Sequence, residues 1–482
     1  MEDNLKEKTA KGLLWGGLNS GVQQLVGMAS GIILGRLLTP SDYGMMAMIS
    51  IFSLVATTLQ DSGFRTALTN LRNPRPEDYN SVFWFNIVMG VSLYALLFAC
   101  APLIGQFYHN ARVVPLCRYA FLSIVLASLG TAQSAWLFRH LRAKQQAQAA
   151  AVAVVASNIV GIGMAMMGMA YWALATQGLV YVGINTLCQW RFSPWRPSLH
   201  GISMSPVRRM FGFSSKILAT SIMTNVNNNV LNITLGHYFS DHDTGNYNQA
   251  SQWNTKCYSL VQSMVAQVAQ PVLAGLDGDG RRQLEVFRKM MRFTAFVSFP
   301  LLLGFGLVAK EFITLALTDK WEESAGLIQI LCVSGAVSPL ATLCSNMIIS
   351  KGKSGTFFWC TFTLGAALTC MTLCLWPLGI RSMVIGFVTL NTAWLCVWLW
   401  FVRRLSGYTY GMFLRDVMPY ALAAGAVMAA VHVVTASIES MWLLLLTRTM
   451  LAAACYAAVM WLKKETMLGE CVAFLRKSRK KK

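Results

Sequence analysis

Gly35-Arg36-Leu37-Leu38-Thr39-Pro40-Ser41-Asp42-Tyr43-Gly44 closes one long apolar run, and Gly236-His237-Tyr238-Phe239-Ser240-Asp241-His242-Asp243-Thr244-Gly245 closes another. The two stretches lie 201 residues apart and match at Gly35/Gly236, Thr39/Ser240, Asp42/Asp243 and Gly44/Gly245. Upstream, Ser20 matches Ser221, and the polar pair Gln23/Gln24 matches Thr224/Asn225. The local chemistry is that of a helix start. Thr39 is placed to cap the helix that follows, Pro40 suits its first turn, and Asp42 closes a capping box. Gly44 leaves room for close packing.

Outward from this repeat, the chain reads as a series of membrane spans. A span needs about 20 apolar residues. Fourteen such runs are present, at 12–38, 43–64, 81–107, 114–137, 149–170, 172–190, 211–238, 245–273, 287–309, 325–349, 355–376, 379–402, 416–435 and 440–462. The first is too long for the apolar region of a signal peptide and is expected to remain as an anchor. The repeat offset covers six spans. An even number gives both halves the same orientation, the parallel type of transporter repeat. The expected architecture is all-α and polytopic, in three parts. Residues 1–195 hold helices 1–6 of an N-lobe, 196–405 hold helices 7–12 of a C-lobe, and 406–482 hold two further helices and a basic tail.

Composition agrees. Of 482 residues 55% are hydrophobic and only 12% charged, against about 25% charged in an ordinary soluble domain. The net charge of +20 comes from 40 Lys+Arg and 20 Asp+Glu. With the N-terminus inside and the spans alternating, 31 of the 40 basic residues fall in or at the edge of inner segments and 6 in outer ones. That bias is the positive-inside pattern, and it places both termini in the cytoplasm. The basicity is therefore topological, and no nucleic-acid partner is implied.

Several functions are excluded by what is missing. The twelve cysteines form no Cys-x-x-Cys and no zinc-spaced cluster with histidine. No phosphate-binding loop, nucleotide fingerprint or catalytic triad is present, so neither an enzyme nor a cofactor is expected. The outer loops are too short for the periplasmic catalytic segment of a glycan polymerase.

Leu34-Gly35-Arg36-Leu37-Leu38-Thr39-Pro40-Ser41-Asp42-Tyr43-Gly44 resembles the L-x-R-x-L-x-P-x-D-Y/F-G signature that follows the first span in polysaccharide flippases. These belong to the multidrug/oligosaccharidyl-lipid/polysaccharide exporter superfamily. Fourteen spans, a six-span repeat and a basic tail fit its Wzx-type branch, similar to colanic-acid and lipopolysaccharide exporters. The resemblance implies a V-shaped two-lobe transporter that carries a lipid-linked oligosaccharide, usually on a polyprenyl diphosphate, across the bacterial inner membrane. It also implies contact with membrane lipid and with other polysaccharide assembly proteins. Antiport of a coupling ion, H+ or Na+, would add driving force, but no buried acid in the sequence marks its site.

Charged residues inside a membrane are expensive and usually face a cavity. Only Lys216, Lys256 and Arg448 lie within the spans. Lys256 is about ten residues into its span, roughly 15 Å deep at about 1.5 Å per residue. Lys216 is near enough to the inner surface to snorkel. Arg448 lies in the last span, facing either a groove for the lipid tail or a neighbouring helix. All twenty acids fall outside the membrane core, although Asp61, Asp241, Asp243, Glu311 and Asp416 approach span ends. A lysine with no carboxylate suits an anion such as a diphosphate and suits a lipophilic cation poorly. Gln249, Gln252 and Lys256 share one helical face, with Trp253 beside them as a platform for a sugar ring. Asn225 and Asn228 in span 7, with Asn19 and Gln24 in span 1, offer the donors and acceptors that sugar hydroxyls need. The same amides also serve as glue between helices. The expected substrate-binding set is thus Lys256, Lys216, Gln252, Gln249, Asn228, Asn225, Gln24, Asn19 and Arg448. The competing assignment is a drug/cation antiporter of the same superfamily, which shares the fold but requires a buried carboxylate.

Overall fold

The computed structural model of the chain describes residues 21, 23–61, 68, 75–198, 204–276 and 278–463, the side chains of 204–217 excepted. Among the described residues there is helix and no strand. Two compact units are formed, residues 1–245 and 246–482.

The first unit begins with a helix over residues 23–37 (α1). Pro40–Asp61 (α2) and Pro76–Phe107 (α3) follow, then three short helices, Val113–Ala120 (α4), Leu122–Ser128 (α5) and Thr131–Arg139 (α6). Ala143–Met166 (α7) and Tyr171–Phe192 (α8) form an antiparallel hairpin, and Met204–Tyr238 (α9) packs on α2 and α3. The core of this unit is built on Met48, Ile49, Tyr108, Leu116, Phe121 and Ile124. Asp241–Gly275 (α10) starts here and continues into the second unit. That unit holds Gly280–Leu307 (α11), Ala309–Leu317 (α12), Glu322–Ser350 (α13), Ser354–Leu375 (α14), Ile380–Ser406 (α15), Tyr410–Val434 (α16) and Met441–Leu462 (α17). Its core gathers Val265 of α10, Phe287 and Met291 of α11, Leu343 and Met347 of α13 and Ala424 of α16.

Within the described residues, each apolar run after the first is mostly helical. The run at 12–38 lies partly outside the described residues. Nine described helices are long and apolar enough to cross a membrane, or ten with one bent pair. The bent pair is the run at 114–137, read from sequence as one span. It is broken into short helices and turns by 43° near Gly130. Tyr171–Phe192 and Asp241–Gly275 are long enough to span but carry too many polar residues to be counted with the nine. The outward faces are apolar: only 17% of the apolar window of α3 is buried, and Leu96, Leu103, Val433 and Trp461 are exposed. Large exposed apolar surfaces of this kind require a non-aqueous solvent. The chain is a multi-pass membrane protein.

The repeat seen in the sequence has a physical counterpart. The Asp42 carboxylate accepts from the Thr39 backbone N–H at 2.9 Å and from its hydroxyl at 2.7 Å. The Asp243 carboxylate accepts from the Ser240 N–H at 3.3 Å and its hydroxyl at 2.7 Å. These are the same capping box, starting α2 and α10. The two helix starts then cross with backbones touching. A Cβ on Gly44 would lie 2.6 Å from the carbonyl carbon of Asp241, and one on Gly245 would lie 2.5 Å from that of Pro40. Pro40 and Asp241 are equivalent positions at the repeat offset, so the contact is reciprocal, as in a two-fold interface. Only glycine permits this approach.

Thr39→Ala or Ser240→Ala removes one box without touching the crossing. Each is expected to lower stability by about 1 kcal/mol, read as a small drop in thermal midpoint with normal membrane abundance. An unchanged midpoint in both variants would show that the boxes contribute nothing.

Candidate functional site

Polar residues inside the spans gather in each unit separately. In the first unit, α9 meets α2 through amides and hydroxyls. Asn225 donates to the Thr58 hydroxyl at 2.9 Å, and Asn229 accepts from Ser50 at 3.5 Å. Asn229 also donates to the Asn225 carbonyl and accepts from Asn232. Asn225 and Asn229 are therefore helix glue. Asn228 points away from this contact and is exposed, whereas Asn227 is buried. Gln24 is half-buried on α1. Asn19 and the side chain of Lys216 lie outside the described residues.

In the second unit, α10 carries the predicted stripe. Gln252 is exposed and donates to Asn248 at 2.6 Å. Gln249, one turn earlier, is buried. The Lys256 ammonium lies over the Trp253 ring, 4.2 Å from its centroid. The ring face attracts the cation and removes little of its charge. No carboxylate lies within ion-pair distance of Lys256 among the described residues. Trp253 itself is 1% exposed and packs edge-on against Phe312 at 5.1 Å. That corrects the expectation of a sugar platform: the indole is the floor under the lysine, and its open face is taken. Gly335 lets Asn254, on the opposite side of α10, reach α13, because a Cβ there would strike the asparagine.

Arg448 is buried, and all of its donor groups are engaged. Its guanidinium donates to Glu311 at 2.7 Å, to the Thr435 hydroxyl at 3.1 Å and to the Leu307 carbonyl at 3.3 Å. The fourth contact is to His432 Nδ1 at 3.1 Å. Because arginine only donates, Nδ1 is the acceptor of this contact. Arg448 thus ties α17 to the ends of α11 and α16 and to α12, its charge already matched.

Glu311 is one of two deeply buried acids that sequence inspection left at span ends. The other is Asp416, which takes a two-pronged bond from Arg288 at 2.8 and 3.0 Å. The Tyr408 hydroxyl donates to the same carboxylate at 3.4 Å. Burial, and then the Asp416 charge, push the Tyr408 phenol well above its usual range, which keeps that donor protonated. The remaining buried acids, Asp42 and Asp78, close capping boxes. Every buried carboxylate among the described residues therefore has a structural partner. Sequence inspection also missed the buried Gln60–Asn86–Thr131 cluster joining α2, α3 and α6; two lone amides inside apolar runs, Gln60 and Asn86, were its signal.

Comparison with known proteins follows the same lines. The lipopolysaccharide biosynthesis protein WzxC of Escherichia coli K12 is 23% identical over 356 residues, 73% of this chain and 71% of that protein. The teichuronic acid biosynthesis protein TuaB of Bacillus subtilis 168 is 24% identical over 363 residues, 74% of each. Among solved structures, the lipid II flippase MurJ in an inward closed conformation aligns with a TM-score of 0.73 at 12% identity. The alignment covers 94% of this chain and 100% of that one. At that identity the likeness is one of fold. The profile of the polysaccharide biosynthesis protein family matches residues 33–326, more than half of the sequence, and the chain belongs to that family.

Proposed function

We propose that the protein is a flippase that moves lipid-linked oligosaccharide repeat units across the bacterial inner membrane for surface polysaccharide assembly. Family membership carries the assignment: relatives named for lipopolysaccharide and teichuronic acid biosynthesis cover most of the chain. The fold shared with a lipid II flippase is compatible with it. The bilayer is crossed fourteen times, with both termini inside. Helices 1–6 and 7–12 act as two lobes that rock to give alternating access.

In the second unit Lys256 supplies the attraction for the carrier's diphosphate and Gln252 offers an exposed amide to the sugar; in the first unit Asn228 offers another. Gln249 adds to the polar stripe of the second unit, and Asn225, Gln24, Asn19 and Lys216 to the polar set of the first. Arg448, matched by Glu311, acts through helix packing instead. Moving negative charge outward from a negative-inside cell is favourable by about 2.3 kcal/mol per charge per 100 mV. A drug antiporter needs an uncommitted buried acid, and each buried acid described here is bound in a cap or an arginine pair.

The test is complementation of surface polysaccharide in a strain lacking the gene, with its own repeat unit supplied. Wild type should restore the glycan. Lys256→Ala at matched membrane abundance should reduce it at least tenfold, and Lys256→Arg should retain most of it. Full restoration by Lys256→Ala would remove Lys256 from the site while leaving the flippase assignment standing. Failure by the wild type would sink that assignment.

A further inference from the structure

A cleft of about 410 Å³ in the second unit is lined by Arg288, Arg292, Arg415, Asp416, Pro419 and Tyr420. It holds three guanidinium groups and a single carboxylate. Asp416 spends both oxygens on Arg288. Arg292 sits 3.6 Å from the same carboxylate, and its Nε is buried with no hydrogen-bond partner. Arg415 is exposed at the mouth. A buried guanidinium nitrogen without an acceptor is costly, and three guanidinium groups against one carboxylate leave the cleft net positive.

The level of the cleft says where a balancing anion would come from. On α11, Arg292 is the last charge before the apolar stretch 293–307, and on α16, Asp416 is the last before the apolar stretch 417–434. Both helices thus pass from charge to hydrocarbon at this cleft, which is the depth of lipid headgroups. Paired arginine forks match phosphate oxygens in geometry as well as charge. Basic pockets between spans at this depth favour anionic headgroups.

We infer that Arg288, Arg292 and Arg415 form a binding site for the phosphate of an anionic membrane lipid. Arg288, held by Asp416, forms the back wall, while Arg292 and Arg415 close on the phosphate. The site rests on the membrane reading alone and stands or falls independently of the transport assignment. The phosphate belongs either to a resident phospholipid or to the diphosphate of a polyprenyl carrier.

The test uses the full-length protein purified into nanodiscs of phosphatidylcholine doped with phosphatidylglycerol, then exchanged into detergent, with retained lipid quantified in the extract. Wild type should retain phosphatidylglycerol at least tenfold over its share of the nanodisc lipid. Arg292→Gln/Arg415→Gln should lose that enrichment while keeping its thermal midpoint in phosphatidylcholine alone. Should the double variant fail to fold, Arg415→Gln alone, at an exposed position, should still lower retention severalfold. Polyprenyl diphosphate added in equal amount separates the sources. Displacement of phosphatidylglycerol marks a cargo-entry site, and no displacement marks a resident lipid; either outcome upholds a lipid-phosphate site. Equal retention by wild type and variants, or no enrichment in wild type, overturns it.

Discussion

Gly44→Ala is expected to abolish function and to leave little folded protein in the membrane, and Gly245→Ala to do the same. The reason is geometric. Each glycine faces the backbone carbonyl of the other helix start, and a Cβ would fall 2.5–2.6 Å from a carbonyl carbon. A side chain can rotate away from such a clash, but a peptide group inside the first turn of a helix cannot move alone. The two helices would have to part, taking with them the packing of α9 on α2. Overpacking usually costs about 1–3 kcal/mol, and a backbone collision belongs at or above the top of that range. The control is Gly275→Ala, at a glycine with open space around its Cβ position. That variant should behave as wild type. Normal abundance and midpoint for Gly44→Ala would show that the helix starts are not in contact.

Breaking the Arg448–Glu311 pair should be nearly as damaging. Both side chains are under 10% exposed. Glu311→Gln leaves a buried guanidinium with no counter-charge, and Arg448→Met leaves a buried carboxylate. Each is expected to cost about 3–5 kcal/mol. The double variant Glu311→Leu/Arg448→Met removes both charges together. It should recover most of the loss, because replacing a whole buried pair with apolar groups is often neutral. The measurement is a double-mutant cycle of thermal unfolding in detergent. Additive losses, with the double variant worse than either single, would contradict the pairing.

These two features mark the limits of what the sequence carried. The capping boxes and Gly44 were legible because their chemistry is local: cap, acid and glycine fall within six residues, and the repeat displays them twice. The spans were legible because hydropathy is a property of a window. The Arg448 tie was not, because its partner lies 137 residues away, and a lone arginine in a span does not say which acid it meets. The same holds for Asp416, which sits beside a charged neighbour in sequence but finds Arg288 128 residues away. On α10 the spacing placed Gln252 and Lys256 on one face. It gave no sign that Trp253, next along the turn, would be sealed under the lysine by Phe312. Periodicity gives direction from a helix axis, but burial depends on what the neighbouring helix brings. The asparagine run on α9 shows the same limit: Asn225 and Asn229 face α2, while Asn228 does not.

The most direct test of the central claim is transport itself. The purified protein is reconstituted in liposomes with a fluorescent polyprenyl-diphosphate oligosaccharide of its native repeat unit, and movement between leaflets is followed by quenching from outside. The account predicts transfer well above that of empty liposomes, slowed at least tenfold by Lys256→Ala. No transfer above empty liposomes, with the same protein expelling a cationic dye, would contradict it.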